Sequence, residues 1–331
     1  MKRRKFISQI SAGMAATMLP STLLSFTPGI SSDKKTEKLS FGIVSDVHKD
    51  LMPDADQRLE TFIDEAQKRK VDFIIQMGDF CFGETKNKAF LKIWETFEGT
   101  KYHILGNHDM DRQSKQEIMN FWGMPKAYYS YDLGGYHFIV LDANFLFQDG
   151  KFIDYERANF YVDSKFRTYI DNEQIEWFKA DLEATRLPTI VFSHQSLWHS
   201  VNNRLILQRI IEKQKEKVIS CISGHSHIDF HHQKNDINYI GINSMSYQWS
   251  QNYTTTERFP KELYKQYGNL HHIAGYKDPL YAFATLKPKG TMKIEGVKSE
   301  WMPPSPYDLG MPRKKEGEIN SPQISNYQVN Y

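Results

Sequence analysis

Five short polar clusters carry the residue types that bind metal ions. They are Asp46-x-His48, Gly78-Asp79, Gly106-Asn107-His108-Asp109, His194 and Gly224-His225-Ser226-His227. Each stands directly after a short apolar run that reads as a strand. A lone Asp or His at such a place is usually a hydrogen-bonded structural residue. A given four-residue string, however, arises by chance in fewer than roughly one chain in five hundred of this length at average usage. Five clusters, all at strand exits, therefore point to one shared site. Imidazole nitrogens and carboxylate oxygens suit borderline and hard cations such as Mn, Fe and Zn, whereas no thiolates cluster here to favour a soft one. In Asp-x-His and His-x-His, a loop just past a strand can bring both side chains to one centre. A carboxylate can bridge two cations roughly 3.5–4 Å apart, and Asp79, lying between the other clusters in sequence, is the candidate bridge.

The elements that must position these residues alternate. Short buried strands are expected at 39–45, 71–77, 102–105, 136–141, 189–192 and 218–222, and shorter ones near 237–242, 281–286 and 291–297. Between them, Leu59, Phe62, Ile63 and Ala66 recur at helical spacing over 55–69. Further helices are expected around 90–97, 173–184 and 203–214. Strands alternating with helices imply an α/β domain whose functional loops lie at strand ends. That domain spans 39–297, with aromatic-rich insertions near 143–170 and 247–276. From about 298 the chain turns Pro-rich and polar, which predicts an extended tail over 298–331.

The chain has 331 residues with 42 Lys+Arg against 40 Asp+Glu, a formal charge of +2. Residues 1–30 hold Lys2, Arg3, Arg4 and Lys5 and no acid, so the remainder carries −2. A phosphate-backbone binder relying on a basic field is excluded, and no nucleic-acid partner is expected. The positive head and weakly apolar body of 1–30 fit an export signal. Adjacent arginines followed by Lys5, Phe6 and Ile7 resemble a twin-arginine signal, which implies the twin-arginine export machinery as a partner during biogenesis and a periplasmic or cell-envelope location. No Ala-x-Ala cleavage site is visible, which leaves an uncleaved membrane tether open. Two Cys cannot build a disulfide framework or a four-thiolate zinc site. Cys81 stands near the metal loop, and a Cys81–Cys221 disulfide would require their two strands to be close.

Taken together, the five motifs resemble the calcineurin-like metallophosphoesterase signature. Their order matches, as do the gaps of 33 residues from Asp46 to Asp79 and 28 from Asp79 to Asn107. The resemblance covers roughly 39–297 and implies a four-layer α/β/β/α sandwich with two divalent or trivalent metal ions (Mn, Fe or Zn) at the strand ends. It implies Asp46, His48 and His227 on the first metal, Asn107, His194 and His225 on the second, and Asp79 between them. It further implies His108 over the leaving-group oxygen as general acid, with Asp109 orienting or charging it. Such a centre activates water for in-line attack on the phosphorus of a small phosphorylated substrate. One departure stands out. The purple acid phosphatase branch has a metal-binding Tyr three residues after the bridging Asp, and this chain has Phe82 there.

Around the motifs, the first insertion carries Arg157 and Arg167 among its aromatics and the second carries Trp249. These three, with Asn107, are candidate substrate contacts through phosphate pairing and stacking. The competing expectation is that the aromatics only pin long excursions to the core. His231-His232 and His271-His272 are adjacent pairs, which on an extended chain face opposite ways and seldom chelate one ion, so both pairs are expected to be exposed. The leading function is an exported, metal-dependent phosphoric ester hydrolase. Its alternatives are a nucleotide or cyclic-nucleotide phosphodiesterase, as opposed to a monoesterase, and a non-catalytic binding scaffold of the same fold. No particular oligomeric state is implied.

Overall fold

The computed structural model describes residues 37–312 and 321–331. The expected export leader lies outside the described residues. In chain order the elements are β1 (Leu39–Val44), α1 (Ala55–Arg69), β2 (Phe73–Gln76), α2 (Lys88–Glu95), β3 (Thr100–His103) and α3 (Lys115–Trp122). Then come β4 (Tyr129–Leu133), β5 (Tyr136–Leu141), β6 (Phe145–Gln148), β7 (Lys151–Asp154), α4 (Asn172–Ala184), β8 (Thr189–Ser193), α5 (Arg204–Glu212) and β9 (Val218–Ser223). The chain closes with β10 (Phe230–Lys234), β11 (Ile237–Gly241), β12 (Tyr247–Trp249), α6 (Lys261–Gln266), β13 (Ile273–Gly275), β14 (Ala282–Lys287), β15 (Thr291–Gly296) and β16 (Tyr327–Asn330).

Two six-stranded sheets result, in the orders β16-β15-β14-β1-β2-β3 and β10-β11-β9-β8-β5-β4. Side chains alternate across a pleated strand, and here both faces are buried. Phe73 and Ile75 of β2 enter a core between the sheets, where they meet Phe138 and Val140 of β5 and Phe192 of β8. Ile74 points the other way, into a core with Leu59, Phe62, Phe90, Trp94 and Ile118 from α1, α2 and α3. On the second sheet, Ile139 and Val191 face α4 and α5 through Phe178, Leu207 and Ile211. The order is therefore helices, sheet, sheet, helices, the four-layer sandwich that the family resemblance implies.

Three expectations are corrected. The 298–331 segment is not simply an extended tail: β16 pairs antiparallel with β15, Met292 opposite Val329, and completes the first sheet. The buried Asp229 carboxylate anchors its approach by accepting from the Ser325 backbone N–H at 3.0 Å and from the Ser325 and Tyr327 hydroxyls. Alternation there is carried mostly by Tyr327 and Val329, too little signal beside the prolines. Cys81 and Cys221 are free and sit in the cores on the outer faces of different sheets, so they form no disulfide. His231 and His232 do face opposite ways, but neither is exposed: His231 bonds Asn238 at 3.0 Å and His232 stacks on Trp198 at 4.9 Å. Among the described residues, no helix is long and apolar enough to cross a membrane.

One ion-pair relay ties the second sheet to its helices. His137 of β5 places Nδ1 at 2.6 Å from Asp132 of β4 and Nε2 at 2.9 Å from Asp181 of α4. Burial alone would lower its pKa, but the hydrogen bonds to Asp181 and Asp132 outweigh this and raise it. A histidine raised on folding stabilises fully below its unfolded pKa and loses that contribution as pH climbs through the folded value. His137→Gln should therefore cost about 1–2 kcal/mol at pH 6, a modest figure because Asp132 is half exposed, and less at pH 9. Urea unfolding at the two pH values checks it.

Candidate active site and metal centre

Strand order places the motifs side by side. β1, β2 and β3 are parallel neighbours, as are β5, β8, β9 and β11 in the other sheet. Their carboxyl ends release the five clusters into loops that bond to one another. Asp46 N–H donates to the Gly78 carbonyl at 3.0 Å, and Gly224 N–H to the His194 carbonyl at 3.0 Å. Five of the motif residues adopt left-handed backbone: Asp46 (φ 51), His48 (52), Asp79 (53), His225 (66) and His227 (50). For non-glycine residues this conformation costs about 1–2 kcal/mol each and persists only where the surroundings impose it. Two glycines permit the close approach. A Cβ on Gly106 would lie 2.1 Å from the Asp79 nitrogen, and one on Gly224 would lie 2.8 Å from Asp46 Oδ2.

Within this frame the side chains form two donor groups, Asp46–His48–His227 and Asp79–His194–His225, in each of which the ligand atoms lie within 4.8 Å of one another. The groups adjoin. His194 Nε2 is 3.2 Å from Asp79 Oδ2 and 3.9 Å from Asp46 Oδ1, and His48 Nε2 is 3.6 Å from Asp79 Oδ2. The opposite edges of the ligands are held by the protein. His194 Nδ1 bonds the Met77 carbonyl at 2.7 Å, and His227 Nδ1 bonds the Tyr247 carbonyl at 2.8 Å, which leaves each Nε2 for the centre. Asp46 Oδ2 accepts from Ser45 Oγ and from His225 N–H, and Asp79 Oδ1 accepts from His108 N–H at 2.7 Å.

The remaining atoms test whether metals fit. Asp46 Oδ1, Asn107 Oδ1 and His194 Nε2 are buried and make no hydrogen bond. Buried polar atoms without a hydrogen bond cost about 1–3 kcal/mol apiece, and here Asp46 Oδ1 and His194 Nε2 are met only by charged or imidazole neighbours, His227 Nε2 at 3.2 Å and Asp79 Oδ2 at 3.2 Å, with no thiolate among the donors. Cys81 takes no part in either group, and burial pushes its thiol well above the usual range. The donor set therefore fits the hard and borderline cations expected from the sequence.

Charge in the site is divided unevenly. Burial opposes ionisation of Asp46, but the His227 and His194 charges prevail and hold its carboxyl at about 2. Burial holds His48 and His225 at about 3, hence neutral and able to ligate. His194 goes the other way: burial would lower it, yet the Asp79 and Asp46 carboxylates push it up to about 9.

The placement of each expected residue can now be given. Six of the seven expected ligands form the two donor groups, Asn107 lines the adjoining cleft with His225, and His108 lies beside them, its ring 5.4 Å from that of His48. Asp109 does not orient His108. Its buried carboxylate accepts from the N–H groups of Gly106 (2.7 Å), Asp79 (3.0 Å) and Phe80 (2.7 Å), clamping two motif loops together. The partner of His108 is Asp111, whose Oδ2 is 3.0 Å from Nδ1. A short 3-10 turn over His108–Met110 causes the exchange by sending the next residue's side chain inward and returning the third to the His108 side. The spacing of three residues was the only sign of Asp111 in the sequence. Arg157 lies outside the site, exposed and paired with Glu117 at 2.7 Å and Glu156 at 3.2 Å. Arg167 lines a cleft of 470 Å³ together with Asn107, His108, Tyr161 and His225. Trp249 lines a second cleft, of 330 Å³, with His227. Its ring lies 6.2 Å from those of His48, His108 and His227. Most other insertion aromatics pack as anchors, among them Tyr155, Phe160, Tyr247, Phe259 and Tyr264. A larger cavity of 600 Å³, by Tyr128 and Trp177, contains no motif residue.

Fold and donor set together define a metal-binding hydrolase acting on phosphoester bonds. The calcineurin-like phosphoesterase family matches residues 39–229, and the chain belongs to that family. It is 24% identical over 265 residues to a manganese-dependent ADP-ribose/CDP-alcohol diphosphatase of Oryza sativa, covering 62% of this chain and 83% of that protein. It is 23% identical over 252 residues to a 3′,5′-cyclic-nucleotide phosphodiesterase of Nostoc, covering 69% of this chain and 86% of the relative. Among solved structures, a dimetal phosphatase from Danio rerio superposes with a TM-score of 0.55 at 14% identity, over 80% of this chain and 98% of that one.

Because His194 carries a proton at neutral pH and its Nε2 faces the centre, metal uptake must displace that proton. Affinity for Mn or Zn should rise about tenfold per pH unit between pH 6 and 8 and flatten near 9. Calorimetry at pH 7 in buffers of differing ionisation enthalpy should register close to one proton released from this site.

Proposed function

We propose that this protein is a phosphoric ester hydrolase in which Asp46, His48 and His227 hold one cation, Asn107, His194 and His225 hold a second, and Asp79 serves both. The observation that supports this is the pair of donor groups Asp46–His48–His227 and Asp79–His194–His225, which adjoin where His194 Nε2 lies 3.2 Å from Asp79 Oδ2 and 3.9 Å from Asp46 Oδ1. When bound, the cations supply an activated water and neutralise charge on the phosphoryl oxygens. The chain's own groups do the rest. His108 is the proton donor: burial would lower its pKa, but the charge of Asp79 and the hydrogen bond and charge of Asp111 raise it to about 9, so it is protonated at neutral pH. With Nδ1 engaged by Asp111, Nε2 is the nitrogen available to the leaving oxygen. Tyr161, its hydroxyl 3.4 Å from His108 Nδ1 and from Asp111, closes the outer side. The names of the two curated relatives favour substrates with nucleotide character.

Hydrolysis of p-nitrophenyl phosphate and bis-p-nitrophenyl phosphate after reconstitution with Mn, Zn or Fe tests the reading. His108→Ala should lower kcat by about 10²–10⁴-fold with metal content retained. Asp79→Asn should lose both metal and activity. Wild-type rates in both variants would overturn the assignment.

We also propose that the segment containing Arg3 and Arg4 directs export in the folded state, which would let metals be acquired before translocation. The support is the residue pattern of the leader. Replacing both arginines with lysine should retain a leader-fused reporter inside the cell, and unimpaired export of the variant would rule the route out.

A further inference from the structure

We infer that the substrate is an open-chain phosphodiester carrying two unlike organic groups, one for each of the two clefts that adjoin the metal site. The inference rests on the hydrolase reading above and narrows it to a substrate class. The clefts share no lining residue. The larger one reaches His225 of the Asp79 donor group, and the smaller one reaches His227 of the Asp46 donor group. Phosphorus held by both groups therefore has room for a substituent beside each. A monoester brings one organic group and would leave one cleft to water. In a cyclic diester both ester oxygens belong to a single ring, which again fills one cleft. An open-chain diester places one group in each.

The chemistry of the two linings differs. The larger cleft contains Arg167, Tyr161 and Ser164 and no carboxylate side chain. Arg167 donates to the Phe160 carbonyl at 3.1 Å and makes no ion pair among the described residues. This cleft suits a polar, oxygen-rich group, and because His108 lines it, that group is the one that leaves. The smaller cleft has no acidic or basic side chain apart from the imidazole of His227. Trp249 offers an aromatic ring there, and Gln251 offers an amide, which suit a flat heteroaromatic group such as a nucleobase. In the reaction, water oxygen bonds to phosphorus and the phosphorus–oxygen bond to the group in the larger cleft breaks. The departing oxygen takes a proton from His108, the proton of the attacking water restores His108, and the aromatic group leaves as its monophosphate.

Four probes offered to the metal-loaded full chain test this: thymidine 5′-(p-nitrophenyl phosphate), methyl p-nitrophenyl phosphate, p-nitrophenyl phosphate and 3′,5′-cyclic AMP. The thymidine diester should have a kcat/KM at least about tenfold above each of the others, in keeping with one stacked base. Trp249→Ala should remove most of its advantage over the methyl diester, through KM more than kcat, and Trp249→Phe should keep it. Turnover of p-nitrophenyl phosphate or cyclic AMP as efficient as that of the thymidine diester would overturn the inference. So would an equal effect of Trp249→Ala on both diesters. Either result leaves the hydrolase reading standing, whereas no turnover of any probe overturns both.

Discussion

Two carboxylates buried among imidazoles set the terms for the rest of this structure. Asp46 and Asp79 are 0% and 2% exposed, and a charge so placed is tolerated only where it is paired or coordinates a cation. Part of the compensation is internal. One oxygen of each carboxylate accepts hydrogen bonds from the motif loops, and His194 takes up a proton between them. The other oxygens are met by imidazoles, Asp79 Oδ2 by His194 Nε2 at 3.2 Å and Asp46 Oδ1 by His227 Nε2 at 3.2 Å. A cation held here would add the positive charge that burial favours, and its binding would then be linked to folding of these loops.

Holding such groups together against repulsion and burial cost requires a stiff frame. The parallel strands supply it, since β1, β2 and β3 deliver three loops at adjacent positions and β8 and β9 deliver two more from the facing sheet. The left-handed residues at Asp46, His48, Asp79, His225 and His227 turn side chains toward the centre that an ordinary strand exit would spread apart. Asp109 matters here for a reason unlike the one its place in the motif suggests. By accepting three backbone N–H groups it joins the second and third loops, and so it fixes Asp79 and Asn107 relative to each other. Asp111 then completes His108. Positions within one short turn thereby divide into a frame residue, the proposed proton donor and its partner.

The insertions divide in a similar way. Most of their aromatic rings are anchors, which is the cheaper use of a large apolar side chain on a long excursion. Anchoring nevertheless has a chemical result. The pairing of β12 with β13 fixes Trp249 opposite Ile273, and this carries its indole to the rim of the metal site. The 145–169 excursion likewise seats Tyr155 and Phe160 in the core and leaves Tyr161 and Arg167 facing His108. Loops that first serve packing therefore also shape the space around phosphorus.

Much of this was legible in the residue order. The alternation of apolar strands with amphipathic helices implied the layered α/β fold, and the spacing of Asp46, Asp79, Asn107, His194, His225 and His227 marked the ligands, because chelation demands particular atoms and strand exits are where a chain can present them. What stayed hidden depended on contacts between distant segments. Arg157 and Arg167 look alike in sequence, yet Glu117, 40 residues upstream, pairs with the first, and the second has no carboxylate partner among the described residues. The edge strand β16 is defined by the neighbour it joins, since its own apolar signal is slight. Asp109 and Asp111 are chemically identical, so the turn between them chose which one touches His108. Residue type and spacing determine which atoms can bind metal and move protons. Which of two like side chains does so, and what space remains for a substrate, is decided only when the loops close, because hydrogen bonds, burial and cavities belong to pairs of segments and not to either one.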